Sequence, residues 1–177
     1  MASNAGLRDL AAAGRAEADA YRGNDDRPLG GYLVVMAVYV SLVTTAAVAA
    51  MLTGRKLPRD LRVQDIALMA MGTHKLARTL SKDAVTSPLR APFARYSETG
   101  GPAEVMEEVR KPSGVRHSVG ELLTCPFCLD MWVVTAFTLG HVFVPRLTRT
   151  VVAAFAALTG ADFLQLAYAR AQQIAEG

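Results

Sequence analysis

Residues 31–52 read Gly31-Tyr32-Leu33-Val34-Val35-Met36-Ala37-Val38-Tyr39-Val40-Ser41-Leu42-Val43-Thr44-Thr45-Ala46-Ala47-Val48-Ala49-Ala50-Met51-Leu52, 22 positions without a charge. At about 1.5 Å per residue a helix of this length spans ~33 Å, close to the ~30 Å hydrocarbon core of a bilayer. A soluble protein would have to surround such a helix on all sides. With 177 residues, about one domain's worth, the chain is too short to do so. The stretch therefore reads as a membrane span, with Tyr32 suited to the interface.

The rest of the chain agrees with that reading. Hydrophobic residues make up 51% and charged residues 20%, which excludes a disordered chain. The apolar residues are clustered rather than spread. A net charge of +3, even with a pI near 9.1, implies no nucleic-acid partner. The one close cysteine pair excludes a secreted disulfide framework.

Working outward, residues 1–29 form a polar, Ala-rich tail in which Leu7 to Tyr21 suits a weakly amphipathic surface helix. Four arginines stand there against five acids. That is not the short basic start of a signal peptide, so we read 31–52 as a retained anchor despite the cleavage-like Ala47-Val48-Ala49. A basic turn follows over 53–62, with Pro58. Residues 63–80 are helical in pattern but carry Asp65, His74, Lys75 and Arg78, which suits an interfacial helix or a short span with snorkelling ends. Residues 81–121 form the sizeable polar segment. Pro88, Pro92, Pro102 and Pro112 forbid one long helix, leaving a short helix over 103–110 between mobile loops. Further spans are expected over 122–144 and 150–169, joined by a tight turn at 145–149. Residues 171–177 are a tail.

Basic residues set the orientation. If 63–80 lies on the surface, there are three spans; if it crosses, there are four. Both arrangements place 13 of the 19 Lys and Arg residues on the inner side. The positive-inside rule cannot separate them, but both put residues 81–121, the cysteines and the C-terminus at the cytoplasmic face.

The sharpest motif is Cys125-Pro126-Phe127-Cys128. Thr124 is placed to cap a helix with Pro126 in its first turn, so both thiols sit at a helix N-terminus, where the dipole favours a thiolate. Thiol–disulfide chemistry needs that arrangement, although the βαβ context of thioredoxin-like sites is missing. As metal ligands the two thiolates would need partners. His117, Glu121 and His74 are the candidates, with zinc or iron possible and no cofactor predicted outright. The plain alternative is two small soft side chains packed where a loop meets a helix. Among intramembrane polar residues, Asp130 sits near the start of its helix. Asp162 lies deeper and can pair with His141 or another polar group on a neighbouring helix. In the block Lys82 to Phe93, Asp83 can pair with Arg90, or Arg90 can hold a lipid phosphate or another carboxylate.

The run Asp83-Ala84-Val85-Thr86-Ser87-Pro88-Leu89-Arg90-Ala91-Pro92-Phe93, followed by Gly120-Glu121-Leu122-Leu123-Thr124-Cys125-Pro126-Phe127-Cys128 and Trp132, resembles the bacterial family called domain of unknown function 1360. The resemblance covers about residues 60–170. It implies a small integral membrane protein without an established reaction, and points to Asp83, Arg90, Glu121, Cys125, Cys128 and Trp132 as residues to watch.

The expectation is an all-α, multi-pass cell-membrane protein of three or four hydrophobic helices with a cytoplasmic proline-containing loop region. Its partners are the bilayer and a protein partner or second copy. The leading function is a non-enzymatic structural or interaction component working through 81–121. The alternatives are a thiol-redox protein using Cys125 and Cys128, and a metal- or lipid-headgroup-binding module.

Overall fold

The computed structural model describes residues 2–25, 27–56, 62–110 and 114–177. Half of the basic turn, residues 57–61, and the Lys111-Pro112-Ser113 stretch lie outside the described residues. Seven helices and one hairpin follow in order: α1 (Ala2–Arg22), α2 (Leu29–Leu52), α3 (Val63–Ser81), a 3-10 turn (Ala84–Thr86), α4 (Ser87–Arg90), strands β1 (Ala94–Thr99) and β2 (Val105–Val109), α5 (Val115–Thr124), α6 (Pro126–Phe143) and α7 (Pro145–Glu176). Three of them, α2, α6 and α7, are long and apolar enough to cross a membrane.

The core lies where α3 meets α6 and α7. Ala77 of α3, Leu129, Val133 and Phe137 of α6, and Val152 of α7 form one buried cluster. Gly72 permits the closeness of α3 and α7, because a Cβ there would stand 3.1 Å from the Val152 carbonyl oxygen. Further along, the Thr159 hydroxyl donates to the Met71 carbonyl at 2.8 Å.

Helix α2 turns a narrow stripe inward: Gly31 and Tyr32, then Val35, Tyr39, Val43, Ala46 and Ala50 at steps of three or four. Tyr39 meets the Trp132 ring edge-on at 5.1 Å and shares a 2.8 Å hydrogen bond with Thr135. Beyond the end of α2, Arg55 donates to the carbonyls of Val142 and Phe143, at 3.3 and 2.6 Å, where the last turn of α6 leaves acceptors unpaired. At the opposite end, Gly31 lies against Gly114 and Ser118. So the start of α2 sits beside α5 and the hairpin, and its end sits beside the α6–α7 turn.

The sequence expectations need correction in five places. Residues 103–110 are not a helix: β2 pairs antiparallel with β1 from Ala94↔Val109 to Thr99↔Val105, with an irregularity between Tyr96 and Glu98. Gly100, Gly101 and Pro102, with Ala103 at φ 63°, turn the chain over, and pairing overrides the helical propensity of the glutamates. The loop region 81–121 also carries α5. The expected span 122–144 is divided, because Pro126 has no N–H to continue α5; α6 begins afresh after Cys125. Residues 145–149 are no turn, since Val144 alone separates α6 from α7, with Pro145 in the first turn of α7 where its missing N–H costs little. Helix α7 then continues through the expected tail to Glu176, a rod about 48 Å long.

Candidate functional site at the hairpin end of the bundle

Two clusters occupy this end. The first is built on Arg90, whose side chain is wholly buried. Its Nε and Nη2 donate to the two carboxylate oxygens of Glu107, at 2.5 and 3.2 Å. Nη1 donates to the Leu80 carbonyl at 2.8 Å and the Thr86 hydroxyl at 2.7 Å. Nη2 also reaches the Asp83 carbonyl at 3.0 Å and the Ser87 hydroxyl at 3.2 Å. The guanidinium therefore ties the end of α3, the turn before α4 and β2 into one unit. The expected ion pair between Asp83 and Arg90 does not form; Asp83 contributes its backbone oxygen and Glu107 supplies the carboxylate. The reason is geometric. Glu107 projects inward from β2 directly onto the buried arginine, a position that a helix over 103–110 would not have given it.

Neighbouring pairs repeat this chemistry. Arg78 of α3 binds both oxygens of Glu104 at 2.5 and 2.7 Å, and Arg95 of β1 meets Glu108 of β2 at 2.9 Å. Three glutamates of the hairpin thus find three arginines. The last of these pairs is solvent-exposed and contributes about 0–1 kcal/mol.

The second cluster centres on Glu121 of α5. One carboxylate oxygen accepts from the Tyr32 hydroxyl at 2.5 Å. The other lies 3.3 Å from His117 Nε2 and 3.9 Å from Arg27. Hydrogen bonding to Tyr32 first, and the Glu121 carboxylate after it, raise the pKa of Arg27. Glu121 so fastens the start of α2 to α5. Immediately beyond α5 come the cysteines. Both are free, Cys125 half-buried and Cys128 exposed. Cys125, not Thr124, is the N-cap of α6: its Sγ accepts the Cys128 backbone N–H at 3.3 Å. Thr124 ends the preceding helix and donates back to the Gly120 carbonyl at 2.9 Å.

The other sequence candidates fall elsewhere. Asp162 pairs with Lys75 of α3 at 2.8 Å rather than with His141, whose Nδ1 lies 2.8 Å from the Phe137 carbonyl on its own helix. Trp132 packs on Tyr39. Asp130 Oδ1 is buried without a hydrogen-bond partner, and His74 is exposed on α3. Among the described residues, no three of His, Cys, Asp and Glu come together as a metal-binding set. Sequence reasoning missed Glu107, Glu104 and Tyr32. The excess of glutamate over 104–108 was the available signal, but it does not say which arginine each one meets.

Three long apolar helices in one chain make this an all-α, polytopic membrane protein. It belongs to the DUF1360 family of bacterial proteins of unknown function, whose model matches residues 68–168. A relative, the sporulation protein YjcA of Bacillus subtilis (strain 168), is 32% identical over 83 residues, which are 46% of this chain and 70% of that one. No solved structure matches.

Proposed function

We propose that this membrane protein carries a working dithiol, Cys125 and Cys128, at the end of the bundle that holds the hairpin, and that this end faces the cytoplasm. The observation that carries the reading is the cap of α6. Cys125 Sγ receives a backbone N–H and sits at the positive end of the helix dipole, and the exposed Cys128 lies one turn on. A pair that only filled space would have no need of an exposed member.

The chemistry is exchange with a disulfide on a partner protein. The Cys125 thiolate, held by the Cys128 backbone N–H, attacks one sulfur of the partner disulfide and releases the other as a thiol. Cys128 then attacks Cys125 Sγ, releases the partner's second sulfur and closes the Cys125–Cys128 disulfide. The two protons given up by the cysteines end on the partner's two thiols, and a cytosolic dithiol or glutathione restores the pair. Cys128→Ser should hold the partner on Cys125 as a mixed disulfide that reductant releases, whereas Cys125→Ser should not. Equal trapping by both variants, or by neither, would overturn the reading.

We also propose that α3 crosses the bilayer with the other three helices. Its packing against α6 and α7, and the position of the α2 start beside α5, support four crossings, with both termini and the hairpin on one face. The interaction role of residues 81–121 is the second reading. It is favoured by the buried Arg90, which fixes the hairpin as a rigid platform. Under that reading alone, replacing both cysteines by serine leaves function intact.

A further inference from the structure

Helix α1 projects from the end of the bundle where the hairpin lies. Every described side chain on it except Ala18 and Arg22 is exposed, including Leu10 at 73% and Tyr21 at 76%. Helical register puts Leu10, Ala11, Gly14, Ala18 and Tyr21 on one face. Arg8, Arg15 and Arg22 are seven residues apart, so they line one edge of that face. Ala12 and Ala16 lie opposite. Six residues, 23–28, separate α1 from α2. Even fully extended they reach only about 20 Å, so α1 stays close to the point where α2 enters the membrane.

We propose that α1 lies flat on the leaflet from which α2 starts, with the Leu10–Tyr21 face in the acyl–headgroup boundary and the arginine edge against lipid phosphates. The occupant follows from two observations. The tether of residues 23–28 confines α1 to the leaflet where α2 starts, and the arginines stand at the flank where long side chains snorkel to headgroups. The outer face carries Asp9 and Asp19, which suits water, and Glu17 stands beside Leu10 at the edge opposite the arginines. The cytoplasmic leaflet is the anionic one and attracts such an edge.

The test places a fluorophore on the full-length protein, in a Cys125→Ala, Cys128→Ala background, through Leu10→Cys, Ala18→Cys, Ala12→Cys or Ala16→Cys. Each is reconstituted in nanodiscs of phosphatidylethanolamine and phosphatidylglycerol with brominated acyl chains. Bromine should quench the labels at 10 and 18 and leave those at 12 and 16 at the level of unbrominated lipid. Arg8→Gln with Arg15→Gln should reduce the quenching at 10 and 18 in phosphatidylglycerol discs, and leave it unchanged where phosphatidylcholine replaces that lipid. Equal quenching at all four positions would overturn the proposal. So would protection of position 10 accompanied by energy transfer between two labelled copies, which would seat a second α1 on the face instead.

Discussion

Arg90 shows how one side chain can hold a region together that has little hydrophobic core of its own. A two-stranded hairpin is marginal alone, and β1 is exposed from Arg95 to Thr99. The guanidinium compensates by joining α3, the turn at Asp83 and β2. Removing one partner of a buried pair costs about 3–5 kcal/mol, because the other charge is left unpaired. Arg90→Met should therefore open the hairpin, seen as rapid proteolysis between Tyr96 and Glu108 in detergent. Arg90→Met with Glu107→Leu should recover much of that resistance. If the double variant is no better than the single, Glu107 is not the partner that matters. The sequence singled out this arginine through its motif and offered Asp83 or another carboxylate as its partner; it could not name Glu107, which is brought near only by the strand. At Cys125 the sequence located the helix start within one residue. It missed the cap because a cysteine sulfur is an uncommon acceptor there, with Thr124 the more familiar choice.

At the level of elements, hydrophobic runs were legible and polar ones were not. Helix α2 matches its 22-residue run, since nothing but a helix satisfies its backbone in lipid. The stretch 103–110 read as helical because Glu and Met favour helix, yet Val105, Val109 and the Gly100-Gly101 turn made a strand available. Helix α3 was the ambiguous element for a physical reason. Its polar residues are spent on particular neighbours, Lys75 on Asp162 and Arg78 on Glu104, and composition cannot reveal that. Two outcomes follow. Gly72→Leu should separate α3 from α7, because even a Cβ stands 3.1 Å from the Val152 carbonyl, and should lower the thermal midpoint in detergent where Gly160→Leu, with open space around it, does not. Lys75→Met alone should destabilise by more than the ~1 kcal/mol of a surface pair, and Lys75→Met with Asp162→Leu should recover the loss. A double variant as unstable as the sum of the two single changes would dissociate this pair from the packing of α3 on α7.

Across the whole molecule, the four helices α2, α3, α6 and α7 alternate in direction. The ties at each end say which ends are neighbours: Tyr32 to Glu121 at one, Arg55 to Val142 and Phe143 at the other. The basic-residue count gave the same 13 residues inside for three or four spans and so was blind to this choice. The four crossings proposed above would gather α1, the hairpin, the thiols and the α7 end on one side. The native cysteines report on both proposals for that face, a cytoplasmic position and a redox-active dithiol. An impermeant maleimide should fail to label Cys128 in intact cells and should label it in inverted membrane vesicles. Prior treatment of those vesicles with glutathione disulfide should abolish the labelling, and dithiothreitol should restore it. Labelling in intact cells, or labelling in inverted vesicles that the disulfide leaves unchanged, would contradict the account.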